Sequence, residues 1–249
     1  MISVVVCARD ASLWDRHRRN VAKTIGVDYE YLCLDNRQAQ VGICAAYNHG
    51  IELAQGQILA FVHEDVFFMR PGWGAVLETK FAADPRVGLV GVAGSQYLFK
   101  EYGSWGTAGR PFIRGRVIHE SQGQQVLTVY SHDLADADVV AVDGLFFAVR
   151  GELFRHLRFD EVIFDRFHFY DLDLCMRVRK THRVLVTSEI LVKHLSAGSF
   201  DHVWQHYAEQ FRWKYADELP ASCTHLVPDL QNRVGFEGFL VREPPPTIE

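Results

Sequence analysis

With 249 residues, 48% of them hydrophobic and 23% charged, the chain carries enough apolar material for one sizeable core, which excludes a disordered or low-complexity protein. A formal net charge of −5 without a Lys/Arg block removes the electrostatic basis for binding nucleic acid, and the densest basic run, Arg16-His17-Arg18-Arg19, reads as a solvated helix face. The five cysteines (Cys7, Cys33, Cys44, Cys175, Cys223) are odd in number and scattered, and no C-x-x-C pair suggests zinc, so they read as reduced thiols packed as small hydrophobes. Neither a secretory leader nor a transmembrane run of about 18 apolar residues is visible, and the expected setting is cytoplasmic.

The first part of the chain alternates strand and helix signals. The apolar run 2–7 reads as a strand, followed by a helix over 13–25 with Ser12 as its N-cap. A second strand over 29–34 ends in Asp35-Asn36, helical spacing returns over 43–54, and Gly56 reads as the cap that stops that helix. A third strand spans 58–62, a helix 72–83 and a fourth strand 87–92. This alternation predicts parallel pairing through right-handed crossovers, with a ligand site at the carboxyl ends of the strands.

From 94 to 136 the pattern breaks into a segment rich in glycine, aromatic and polar residues, with short strand pairing expected over 116–119 and 125–130. Its Tyr102 and Trp105 suit either stacking on a sugar face or a small core beneath the loop. Regular structure resumes with strands over 139–142 and 145–149 around the turn Asp143-Gly144, a helix over 171–180, and strands over 184–186 and 190–193. An aromatic amphipathic helix follows over 201–215, its rings spaced for core packing or an oligomer contact. The tail, with Pro244-Pro245-Pro246, is expected to be extended.

The third strand is the most informative, because its apolar run ends abruptly at His63-Glu64-Asp65. A buried strand that delivers two adjacent carboxylates at its end places them where open α/β sheets bind ligands. Taken alone, the pair describes a solvated turn equally well.

In order and spacing, five segments resemble the family 2 inverting glycosyltransferases of the GT-A fold: Ile2-Ser-Val-Val-Val-Cys-Ala-Arg9, Glu30-Tyr-Leu-Cys-Leu-Asp35-Asn36, Asn48-His-Gly-Ile-Glu-Leu-Ala-Gln-Gly56, Ile58-Leu-Ala-Phe-Val-His-Glu-Asp65 and Tyr170-Asp-Leu-Asp-Leu-Cys-Met-Arg177. The resemblance implies an α/β fold with a mixed, mainly parallel sheet flanked by helices. It places the transferase domain over 1–200 and a helical appendage with its tail over 201–249, packed on the core.

The resemblance also implies a site. Asp65 would bind Mn²⁺ or Mg²⁺ bridging the diphosphate of the donor, with Glu64 directed toward the ribose or a metal-bound water, although the family usually has aspartates where His63-Glu64 stands. Asp35, beside Asn36, would accept from a pyrimidine N–H, which favours a UDP-sugar, while Cys7, Ala8 and Arg9 line the base and diphosphate pocket. Gly42 and Asn48 match the donor-side helix; Asn48 reads equally as a satisfied helix residue. Asp143-Gly144 would line the donor sugar, or form an ordinary turn. Asp171 takes the place of the catalytic base, with Tyr170 where a glutamate is usual and Asp165 as the rival base, while Asp173 suits the dipole of the helix. His194 would complete the metal shell, or be a hydrogen-bonded surface histidine.

The expected activity is transfer of one hexosyl or N-acetylhexosaminyl unit from a nucleotide-sugar donor to a hydroxyl of a glycan or lipid-linked acceptor, the latter leaving room for peripheral membrane association. A nucleotidyltransferase making nucleotide sugars is the alternative enzyme, against which Cys7-Ala-Arg-Asp10 offers no Gly-rich phosphate loop. The departures at His63 and Tyr170 leave open a non-catalytic nucleotide-sugar-binding module.

Overall fold

The computed structural model describes residues 1–121, 123–196, 198 and 200–241; the expected extended tail at 244–246 lies outside them. The chain begins β1 (Ile2–Ala8), α1 (Ala11–Thr24), β2 (Tyr29–Asp35), α2 (Ile43–Leu53), β3 (Ile58–His63), β4 (Val66–Phe68), α3 (Trp73–Ala83) and β5 (Val87–Gly91). Through the segment read as irregular it forms β6 (Ala93–Ser95), β7 (Tyr97–Leu98), a short 3₁₀ turn, β8 (Ile113–Ser121) and β9 (Gln124–Val129). It continues as β10 (Ala137–Asp138), β11 (Ala141–Val142), β12 (Phe146–Arg150), α4 (Tyr170–Val178), β13 (Arg183–Val186), β14 (Val192–His194), α5 (His202–Lys214), β15 (Ala221–Ser222) and β16 (Glu237–Leu240).

The main sheet has seven strands in the order β10-β13-β5-β12-β3-β1-β2. β1 pairs in parallel with β2 on one side and β3 on the other, as the alternation of strands and helices predicts. Beyond β3 the expected parallel neighbour β5 is displaced by one place, because β12 lies between them and runs antiparallel to both. The reason is connectivity: the chain reaches β12 out of a second sheet, through a tight turn at Asp143-Gly144, and enters from the opposite end. β1, β3 and β12 are largely apolar on both faces and almost wholly buried, one face packing on α2 and α4 and the other on α1, α3 and part of a second sheet.

That second sheet runs β11-β6-β8-β14-β4, with β9 and β16 added beyond β8. The stretch 139–142, expected to be one strand, is instead divided between the sheets: β10 pairs with β13 and β11 with β6. Between them Val139 donates to the Val184 carbonyl and Val140 to the Ser95 carbonyl, so the chain changes sheets within two residues.

Two capping expectations are corrected. Asp10, rather than Ser12, caps α1, its carboxylate accepting from the N–H groups of Ser12 (2.9 Å) and Leu13 (3.1 Å). α2 ends at Leu53 with Ala54 already extended, and Gly56 donates its N–H to Ser3 Oγ at 2.7 Å, tying the turn to β1 and not closing the helix.

α5 is fastened to the domain by apolar and ionic contacts together. Tyr207, Ala208 and Phe211 enter the same core as Leu172, Leu174 and Met176 of α4, each large side chain contributing about 2–3 kcal/mol by burial. Asp173 of α4, fully buried, accepts from Arg177 at 2.6 Å, Lys214 at 2.5 Å and the Tyr215 hydroxyl at 2.7 Å. Its role is thus an ionic tie between helices, beyond the dipole effect that its place in the first turn suggests. Among the described residues no helix is long and apolar enough to cross a membrane.

Candidate active site

The end of β3, the β1–α1 connection, the start of α4 and the end of β14 surround one open cavity of about 480 Å³. Strand pairing assembles its first cluster. β4 and β14 pair antiparallel with Val66 opposite His194, and Leu195 donates its N–H to the Asp65 carbonyl at 3.1 Å, so the residue before β4 meets the last residue of β14. His194 Nε2 lies 3.4 Å from Asp65 Oδ1 and 3.1 Å from Ser196 Oγ. His63, at the end of β3, brings its ring centroid to 5.8 Å from that of His194. One ligand atom each from His63, Asp65 and His194 lie within 4.8 Å of one another.

The electrostatics of this cluster follow from burial and charge. Burial disfavours a charge on His63 and lowers its pKa to about 4, with His194 adding to the effect, so its imidazole is neutral near pH 7. For Asp65, burial opposes ionisation, but the hydrogen bond and charge of His194 prevail and hold the carboxyl well below its ordinary range. In His194 burial acts downward, yet the Asp65 hydrogen bond and charge leave the imidazole raised. A carboxylate and two imidazoles converging on one point are the donor set of a divalent transition ion, and suit Mn²⁺ better than the all-oxygen preference of Mg²⁺.

α4 supplies the second cluster. Phe169, immediately before it, is held at φ +63°, a conformation disfavoured for a bulky residue, and the resulting kink sends Tyr170 and Asp171 toward the sheet. Asp171 lines the cavity; burial, then the nearby charge of Asp143, raises its carboxyl to about 7. Asp143 accepts from the Leu145 N–H at 3.0 Å and from the Trp105 indole N–H at 3.2 Å, which aims the indole into the cavity. Gly144 is required by close packing, since a Cβ there would stand 2.3 Å from the Tyr170 hydroxyl and 2.9 Å from Asp171 Oδ2. The tyrosine hydroxyl donates to the Gly144 carbonyl at 2.9 Å and lies 2.6 Å from His63 Nε2, so the two clusters are joined.

At the rim, the Arg9 guanidinium sits 4.5 Å from the centre of the Phe167 ring, linking the β1–α1 connection to the loop that precedes α4. The Glu64 carboxylate accepts from the N–H groups of Arg9 (3.0 Å) and Asp10 (3.1 Å) and so fixes that connection. Burial raises its pKa despite these bonds. Phe169, Phe200 and Trp204 form an aromatic wall at the other end, Trp204 being delivered by α5.

The predicted residues therefore divide. Cys7, Arg9, Glu64, Asp65, Asp143, Gly144, Asp171 and His194 share the cavity. Ala8 is paired with Asp35 one strand outward, and Asp35 and Asn36 line a separate shallow cavity beside α2. The Asp35 carboxylate is held by Arg37 through contacts of 2.8 and 2.6 Å. Asn36 spans its loop, exchanging both amide bonds with Val41 at 2.8 Å. Asn48 spends its amide on the Phe159 backbone at 3.0 and 2.8 Å, the satisfied reading of that residue. Gly42 opens α2 where a Cβ would meet the Asp165 carbonyl oxygen at 2.1 Å, and this lets the loop before α4 run over the helix terminus. Asp165 itself accepts from the Tyr207 hydroxyl and is absent from the lining.

Sequence reasoning missed His63 as a member of the acidic cluster, His119 and Trp204. His63 was detectable, since it is the last residue of β3 and adjoins the turn that carries Glu64 and Asp65. His119 was not, because only the pairing of β8 with β14 places it opposite His194.

The chain matches the model of the Glycosyltransferase like family over residues 3–218 and belongs to that family. Among solved structures it resembles GalNAc-T7 with UDP, GalNAc and Mn²⁺ at 12% identity and TM-score 0.55, covering 79% of this chain and 44% of that one. It also resembles the mannosyltransferase PcManGT from Pyrobaculum calidifontis in complex with GDP-Man and Mn²⁺, at 14% identity and TM-score 0.53, covering 89% and 65%. The likeness shows the fold, that of the GT-A glycosyltransferases, so the expected fold class is borne out. No curated protein sequence gives a significant match.

Proposed function

We propose that this glycosyltransferase moves a sugar, with inversion, from a nucleotide-diphosphate donor to a hydroxyl of a glycan or lipid-linked acceptor, with Mn²⁺ as its cation. The carrying observation is the convergence of His63, Asp65 and His194 in the cavity that also holds Asp171. The reading is supported by both structural neighbours, one with UDP, GalNAc and Mn²⁺ and the other in complex with GDP-Man and Mn²⁺.

His63, Asp65 and His194 would hold the cation, whose charge would offset the negative charge that builds on the departing diphosphate. Arg9 stands at the same end of the cavity, and its cation would act on the same phosphates. Asp171 takes the proton of the acceptor hydroxyl as that oxygen attacks the anomeric carbon; with its carboxyl near 7, it is strong enough to accept the proton and still half ionised at neutral pH. Attack on the face opposite the leaving group with one such base inverts the anomeric configuration. Asp143 and Gly144 border the sugar, and Trp105, Phe200 and Trp204 offer rings for the apolar face of an acceptor pyranose.

For the base we propose a pyrimidine at the β1–β2 edge, where Asp35 would accept from its N–H once Arg37 swings aside. Nucleotide sugars screened for thermal stabilisation in Mn²⁺ and in Mg²⁺, then for donor hydrolysis, test the whole reading. A UDP-sugar that stabilises with Mn²⁺ more than with Mg²⁺ is expected; stabilisation indifferent to either cation would sink the metal role.

A further inference from the structure

Two of the residues that depart from the family pattern, His63 and Tyr170, touch each other. Donor and acceptor roles within that contact follow from its third member. The Gly144 carbonyl can only accept, and the Tyr170 hydroxyl lies 2.9 Å from it, so the phenolic proton is committed there. The phenolic oxygen then has only lone pairs for His63 Nε2 at 2.6 Å, and Nε2 must carry the hydrogen. A neutral imidazole has one N–H, which leaves Nδ1 bare.

We propose that Tyr170 is a positioning residue that holds His63 in the Nε2–H tautomer, so that His63 presents Nδ1 as the ligand to a divalent cation shared with Asp65 and His194. This rests on the cation reading given above. Tyr170 is only 3% exposed, so it acts through His63 and not on a substrate. Its ring is wedged by Tyr47 at 5.8 Å and by Phe147 and Phe159 at 6.3 Å, which fixes where the hydroxyl points. Gly144 has no Cβ to hold the phenol away, and its carbonyl sets the direction of the relay. The departures thus compensate: an imidazole in the acidic motif needs its second nitrogen engaged, and a buried tyrosine in place of a glutamate supplies that acceptor without adding charge.

Tyr170→Phe removes one oxygen and keeps the ring, and partners of this kind are worth roughly 10–100-fold in metal affinity. In metal-free protein, the ¹⁵N resonances of the His63 imidazole are expected to report Nε2–H in the wild type and a mixture of tautomers in the variant. Mn²⁺ titration followed by electron paramagnetic resonance should show a roughly 10–100-fold weaker site in the variant. A protonated Nδ1 in the wild type would overturn the proposal without any variant, should Tyr170→Phe fail to fold. Wild-type protein that binds Mn²⁺ while Tyr170→Phe binds it equally well would overturn it too. Wild-type protein that ignores Mn²⁺ would overturn the cation reading first, and the purpose given to Tyr170 with it.

Discussion

Replacing Asp171 with asparagine should damage catalysis and strengthen the fold at once. Burial and the Asp143 charge raise its carboxyl from the ordinary 3.8 to about 7. Because the folded-state value exceeds that of the unfolded chain, the native protein holds an extra proton between the two, and stability present below about pH 4 drains away as pH rises through about 7. At 1.36 kcal/mol per unit, the ionised group costs about 4 kcal/mol at pH 8; water in the cavity screens part of this, so a cost of about 2–4 kcal/mol is expected. Asparagine avoids it, and at 2–4 °C per kcal/mol for a chain of this size the variant should melt roughly 4–16 °C higher than the wild type at pH 8. At pH 4 the two should nearly coincide. Turnover should fall roughly 10²–10⁴-fold with nucleotide affinity unchanged, since a general base acts on the transition state. Wild-type turnover should rise with pH to a plateau above about 7. Calorimetric melting at the two pH values, with nucleotide titration and product formation, decides the matter. A variant that melts lower at pH 8 would show that the carboxylate supports the structure. If turnover falls less than about threefold while Asp165→Asn abolishes it, the base is Asp165.

Asp65→Asn replaces a charged ligand by an amide and should weaken Mn²⁺-dependent UDP binding at least about tenfold, or about 1.4 kcal/mol, by calorimetry; unchanged affinity would remove Asp65 from the metal site. Asp35→Ala should weaken free uridine in EDTA as much as UDP in Mn²⁺, because the proposed contact is to the base; a loss confined to Mn²⁺ conditions would contradict it. Lys214→Met leaves the buried Asp173 with Arg177 as its remaining cation and should cost about 3 kcal/mol in denaturant unfolding without changing nucleotide affinity. An unmoved midpoint there would mean that Arg177 and Tyr215 suffice.

The parts readable from sequence were those fixed by local periodicity. The runs that became β1, β2 and β3 carry the two signals, apolar length and a polar stop, that a short window can see, and the segment that places Asp65 followed from them, whereas Asp171 came from the family resemblance. The second sheet was hidden because it is made of distant pairings: β14 meets β8 and β4, and neither partner leaves a mark on residues 192–194. The antiparallel entry of β12 has the same cause, since an apolar run buried on both faces reads alike in either direction. Asp35 and Asn48 show another limit. Their types fit nucleotide binding, but their partners, Arg37 and the Phe159 backbone, are fixed by side-chain geometry and, for Asn48, by a contact 111 residues away.

Read singly, His63 and Tyr170 each weaken the case for chemistry, one diluting an acidic motif and the other replacing a carboxylate. Their contact changes that inference. The shared geometry spends the phenolic proton of the buried Tyr170 on Gly144 and leaves the half-buried His63 grouped with Asp65 and His194. A chain that had lost its reaction has no use for such an arrangement at the one point where its strands β3 and β14 and its helix α4 converge. Nor would it keep a carboxyl near 7 exposed to the same cavity, at a cost to stability that a single amide would relieve. An acid in so unfavourable a place, beside a second carboxylate that raises it further, supports the proposed role of Asp171 in proton transfer.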